Sequence, residues 1–182
     1  MEKLELIEII DKVVNKSDLK ASDIPSLDLY MDQIMTLFEE HLQDNKRYNE
    51  DKLLTKTMIN NYTKAGIIKP VKGKKYTKEQ IIGMLLIYNL KNTITIQEIK
   101  HILAPIYDND DSLENIYEQF IKIKKVQNEE LKPLILKIIN TFNLDIDNND
   151  QRLITIMALS SLSNQLTSII QGIIDNYYDI TK

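Results

Sequence analysis

The 182-residue chain contains no cysteine, so it can form no disulfide and no thiolate metal site, and a reducing compartment suits it. Glycine and proline number four each; with so few breakers, and with Ile and Leu recurring at helical spacing, the fold class expected is all-α. Long apolar runs are missing too. The longest unbroken one, Ile81 to Tyr88, falls far short of a bilayer span, and the N-terminal MEKLELIEIIDK mixes acids among its apolar positions as a signal peptide does not. The expectation is a cytoplasmic protein with no membrane partner. Catalytic equipment is also scarce. There is no phosphate-binding glycine loop and no nucleophile motif. The two histidines, His41 and His101, stand on expected helices without matched partners, and Glu39 and Glu40 point to different helix faces. Asp145, Asp147 and Asn149 suggest a calcium loop but lack its central glycine and closing glutamate. No enzyme, cofactor or metal site is expected.

What is present centres on Thr55 to Tyr76. Met58, Ile59, Tyr62 and Ala65 fall on one side of a helix, and Thr57, Asn60, Asn61 and Lys64 on the other. Gly66 stands where a helix end favours a left-handed residue, and Pro70 prevents continuation. A short loop then carries Lys72, Lys74 and Lys75 around Gly73. Outward carboxamides can pair with base edges, and loop lysines with phosphates. Net charge is −4, which alone argues against nucleic acid, yet its distribution argues the other way. From Lys52 to Glu79 there are eight lysines (52, 56, 64, 69, 72, 74, 75, 78) against one acid, a local +7 that leaves the rest at −11. The candidate DNA-binding residues are Lys56, Thr57, Asn60, Asn61, Tyr62, Lys64, Lys72, Lys74, Lys75 and Tyr76.

These same residues carry a resemblance. Tyr62, Gly66-Ile67-Ile68, Pro70, Tyr76-Thr77 and Thr95-Ile96-Gln97-Glu98-Ile99 resemble the pattern of the MerR family, without a gap from the wing to Leu103. That pattern is a recognition helix ending in Tyr, a Gly, two aliphatics and a Pro, a wing closing on Tyr, and two further helices. The resemblance implies a winged helix-turn-helix with a minimal β wing. The chain departs from it at Asn60, where MerR proteins usually have Arg, at Lys74 in place of the wing Arg, and in a long turn, QDNKRYNEDK. The wider chain, including IPSLDLYMDQ, also resembles an uncharacterised bacterial family, domain of unknown function family 1836, which implies no activity.

Taken in order, 1–23 reads as an amphipathic helix (Leu6, Ile10, Val13 and Val14 inward) and a connector, 24–106 as the DNA-binding module, and 107–182 as a helical dimerisation or effector region. Pro25 and Asp28 open the module's supporting helix, with Leu27, Met31, Ile34, Met35, Phe38 and Leu42 buried. Thr77 and Gln80 form a capping box for a helix apolar on nearly every side, the module's hub; Thr95 and Glu98 open another, ending near Ala104-Pro105. Tyr107 to Asp111 reads as an acidic linker. Ser112–Val126 and Glu129–Phe142 follow as two helices, the second with Pro133 in its first turn, and then a long terminal helix from Asp150 to Tyr178. Its Leu159, Leu162, Leu166, Ile169 and Ile173 alternate three and four apart, as in a coiled-coil seam. The function expected is a sequence-specific DNA-binding transcriptional regulator of MerR-like type, with double-stranded DNA as partner, a homodimer formed through the C-terminal helix, and an unknown effector. The alternative is a protein-interaction adaptor that keeps the winged fold without DNA.

Overall fold

The computed structural model describes residues 5–71, 73–108 and 112–178, and these described residues are mostly helical with one two-stranded antiparallel sheet. Among the described residues, 17–121 with 174–178 form one compact unit, and 5–16 with 122–173 form a second. The expected module 24–106 lies wholly inside the first.

In this larger unit a 3-10 turn, Ala21–Asp23, leads to strand β1, Leu29–Tyr30, and directly into helix α2, Met31–Leu42. The supporting helix therefore starts at Met31 and not at Pro25 or Asp28. Tyr30 is its N-cap, and the Tyr30 N–H donates to Gln33 Oε1 at 2.9 Å. Leu27, expected inside, is 78 % exposed, while Ile34, Phe38 and Leu42 are buried and Met31 and Met35 half-buried. A second 3-10 turn, Gln43–Asn45, and an ordered loop lead to α3, Lys56–Lys64. Strand β2, Lys75–Tyr76, pairs with β1 in the register Leu29 to Tyr76 and Tyr30 to Lys75. Helix α4, Lys78–Leu90, opens on the expected Thr77–Gln80 capping box and buries every residue from Gln80 to Ile87. It is the hub the apolar pattern called for. Phe38 of α2 meets Tyr88 of α4 edge to face, with centroids 6.3 Å apart.

Two proline expectations need correction. Helix α5, Ile96–Asp108, runs past Pro105, and α6, Leu113–Thr141, is one helix with Pro133 inside it rather than two. Both prolines are exposed, so neither ring displaces a core side chain. Each removes one N–H from the helix ladder while the buried residues around it (Ile99 and Leu103; Ile135 and Ile139) hold the helix in place. Tyr107 and Asp108 of the expected linker thus belong to α5, and Asn109 to Asp111 lie outside the described residues. The start of α6 is fixed to the segment before β1, where the buried Tyr117 hydroxyl donates to the Leu19 carbonyl at 2.8 Å.

In the smaller unit, α1, Leu6–Val14, packs Ile10 against Ile135 and Ile139 of α6, with Leu6, Val14, Leu131, Leu136, Leu144 and Leu159 around them. Val13, expected on the inner face, is instead 51 % exposed. Lys132 Nζ meets both Asp11 carboxylate oxygens at 2.6 and 2.9 Å, and Asn128 Nδ2 donates to the Val14 carbonyl at 2.9 Å. Asn143, with φ +49°, turns the chain toward α7, Asn149–Tyr177. Among the described residues α7 is the one helix long and apolar enough to cross a membrane.

Candidate nucleic-acid interface

Helix α3 is short, and both of its ends are closed. The Thr55 side chain accepts from the Met58 N–H at 3.1 Å. At the other end Gly66 adopts φ +71°, the Gly66 N–H donates to the Thr63 carbonyl at 3.1 Å, and the Ile67 N–H to the Tyr62 carbonyl at 2.9 Å. This is a Schellman ending, and it drives Ile67 and Ile68, both essentially fully buried, into the core. Ile59 and Tyr62 form the inner face with Met58 and Ala65 half-buried beside them; Lys56, Thr57, Asn60, Asn61 and Lys64 are exposed. The amphipathic reading of this helix places each of those side chains on the side where it is found.

The loop after α3 is held by a residue whose part in the site the sequence does not announce. Gln80, in the first turn of α4, is buried; its Oε1 accepts from the Thr77 N–H at 2.9 Å, and its Nε2 donates to the Lys69 and Pro70 carbonyls at 2.8 and 3.2 Å. One carboxamide thereby caps α4 and pins the segment that leaves α3. Gly73, with φ +81°, makes the turn, Lys74 is exposed at it, and β2 returns to pair with β1. Lys72 lies outside the described residues. Tyr76 is buried, as is Tyr62, and burial raises the hydroxyl pKa of both. These two tyrosines are packed on the inner side of α3 and of β2, whereas the other described candidates face outward. On the approach to α3, Lys91 Nζ donates to the Leu53 carbonyl at 3.0 Å and lies 5.3 Å from the Tyr88 ring centroid, its ammonium pKa lowered by burial.

Charge is less concentrated in space than along the chain. Lys56 pairs with Asp32 at 2.6 Å, Lys78 with Glu114 at 2.7 Å, and Lys69 with Glu79 at 3.4 Å while lying 5.0 Å from the Tyr107 ring centroid. Two of those acids, Asp32 and Glu114, come from outside the basic stretch, which is why a count along the sequence missed them. Lys75 sits 5.0 Å from the ring centroid of Tyr30, its strand neighbour. Lys64 and Lys74 form no ion pair with described residues. Exposed pairs of this kind contribute about 0–1 kcal/mol, so a phosphate can displace the carboxylate. Among the described residues no group of three His, Asp or Glu is placed to hold a metal ion.

Among known protein families, the one described as Domain of unknown function (DUF1836) matches residues 19–120, from the segment ahead of β1 through the first turns of α6. No curated protein and no solved structure matches.

Proposed function

We propose that this chain, which belongs to the DUF1836 family, is a sequence-specific DNA-binding transcriptional regulator that reads duplex DNA through a MerR-like winged helix-turn-helix. The observation that carries this reading is the outward face of α3. Asn60, Asn61 and Lys64 stand exposed on a helix capped at both ends, beside a wing whose exposed Lys74 and Lys75 are held by the Gln80 clamp and the β1–β2 pair. The order β1, α2, α3, wing, α4, α5 is the one a winged reader needs, and Asn can pair bidentately with adenine for about 1–3 kcal/mol of discrimination. In this reading α3 enters the major groove, while Lys56, Lys64, Lys74 and Lys75 meet phosphates.

Binding of the intact chain to the promoter of its own gene, followed by anisotropy at several salt concentrations, tests the proposal. Each neutralised phosphate contributes about −0.9 to the log–log salt slope, so changing Lys64, Lys74 and Lys75 to Ala flattens it by about two to three units. Asn60→Ala or Asn61→Ala weakens the specific duplex and spares a scrambled one, whereas Lys74→Ala weakens both alike. Equal losses on both duplexes for the Asn variants remove base readout from α3. The second reading, an interaction adaptor, draws on the Lys56–Asp32 and Lys78–Glu114 pairs and on Asn60 in the usual Arg position. Absence of any duplex binding at low salt selects it.

A further inference from the structure

The segment IPSLDLYMDQ supplies strand β1 and the first turn of α2, and it leaves its one aromatic largely outside the core. Tyr30 is 49 % exposed. Capping of α2 does not use its ring, because the bond to Gln33 Oε1 is made by the Tyr30 backbone N–H. What the ring does meet is a cation. Tyr30 stands directly opposite Lys75 in the β1–β2 pair, so both side chains leave the sheet on one face. Lys75 Nζ lies 5.0 Å from the ring centroid, within reach of the ring's negative face.

A ring holds a lysine differently from a carboxylate. Lys56, Lys69 and Lys78 are held by Asp32, Glu79 and Glu114, each of which offsets the charge it fixes. Tyr30 fixes Lys75 and offsets nothing, and Lys75 forms no ion pair with the described residues. The ammonium therefore keeps its full charge and keeps N–H donors turned away from the ring for an anion. A loose lysine gives up rotamer freedom when it meets a phosphate, whereas one already seated on a ring has given up part of it beforehand. We infer that Tyr30 is a positioning residue, whose ring pre-sets Lys75 for a backbone phosphate without neutralising it. This inference rests on the DNA-binding reading and extends it to a residue outside the basic stretch.

The test measures duplex affinity of the intact chain by anisotropy for Tyr30→Ala, Tyr30→Phe, Lys75→Gln and the double variant Tyr30→Ala/Lys75→Gln. An exposed contact between a cation and a ring corresponds to about a two- to fivefold change in affinity, and Tyr30→Ala should weaken binding by that factor. Tyr30→Phe keeps the ring and should bind as the parent does. Tyr30→Ala should leave the log–log salt slope unchanged, since the charge remains, whereas Lys75→Gln should flatten it by about 0.9. In the Lys75→Gln background, Tyr30→Ala should cost nothing further. The contact itself is read without DNA by nuclear magnetic resonance. Ring currents should move the Lys75 Cε protons upfield in the parent and in Tyr30→Phe, but not in Tyr30→Ala. An unshifted parent, parental affinity in Tyr30→Ala, equal losses with and without Lys75, or a Tyr30→Phe chain as weak as Tyr30→Ala would each overturn the inference while DNA binding stood. A parent that shows the upfield shift yet binds no duplex overturns the DNA-binding reading instead, and this use of the contact with it.

Discussion

Gln80 makes a sharp quantitative prediction, because one buried carboxamide makes three hydrogen bonds to backbone. Replacing it by Leu keeps the approximate volume and removes all three. The Lys69 and Pro70 carbonyls lose donors at 2.8 and 3.2 Å, and the Thr77 N–H loses its acceptor at 2.9 Å. A neutral hydrogen bond contributes about 0.5–1.5 kcal/mol net, and a buried group left unpaired costs about 1–3 kcal/mol. Water can reach part of this site, so Gln80→Leu should cost about 2–4 kcal/mol. Gln80→Glu is the more discriminating change: it keeps the acceptor for Thr77 but turns a carboxylate toward two carbonyl oxygens. Those oxygens and burial both favour the protonated acid, so its folded pKa should stand above the unfolded value of about 4.3. A group raised in this way contributes stability below its unfolded pKa and loses it as pH rises through the folded pKa. The Glu variant should therefore approach the parent in mild acid and fall away toward neutrality. The chain has no tryptophan, so urea unfolding is best followed by far-ultraviolet dichroism, with amide exchange at Lys75 and Tyr76 reporting strand β2. A Gln80→Leu cost below about 0.5 kcal/mol, or a Glu deficit independent of pH, refutes the clamp.

Other perturbations give equally direct readings. Tyr117→Phe removes the donor to the Leu19 carbonyl and should cost about 1–3 kcal/mol in urea unfolding. The Tyr107 hydroxyl is pushed up to about 12 by burial and then by the Glu79 carboxylate, and burial, then Asp18 and Tyr88, push that of Tyr117 up as well. Both folded values lie above the ordinary tyrosine pKa of about 10. Their contribution is thus intact below that pH and lost above it, and melting temperature should fall on the alkaline side, less steeply in Tyr107→Phe. A Cβ at Gly83 would stand 3.0 Å from the Tyr107 hydroxyl oxygen. Gly83→Ala should therefore forfeit the roughly 1 kcal/mol that Ala offers a helix interior and recover it in a Tyr107→Phe background, a coupling a double-mutant cycle measures.

Much of this was legible in the residues. The faces of α3, the turn at Gly66 and the all-round burial of α4 follow from periodicity and helix-ending chemistry, which are local. The failures have local causes too. Tyr30 falls within the helix expected to open at Pro25 and Asp28 because a two-residue strand is too short to show alternation, and only its partner at Lys75, remote in sequence, makes it a strand. Pro105 reads as a helix end and Pro133 as part of a new helix's first turn because the packing that holds a helix through each of them is tertiary. The Gln80 side chain was visible as a cap but not as a clamp, since its second pair of bonds reaches backward to Lys69 and Pro70. The basic stretch looked stronger than it is because Asp32 and Glu114 approach it from other elements.

The smallest element of the fold, the pairing of Leu29–Tyr30 with Lys75–Tyr76, bears on the order in which the module assembles. Two residues per strand give little stability in isolation, and closing the chain across all of α2 and α3 carries an entropic cost that local helix formation does not. The pair can therefore close only after α2, α3 and the start of α4 have brought its halves together, so this sheet is the last part of the larger unit to form. It should also be the first to open. Lys74 and Lys75 would then reach their final places only in a molecule whose α3 is already seated, so their exposed edge becomes a readout of complete folding.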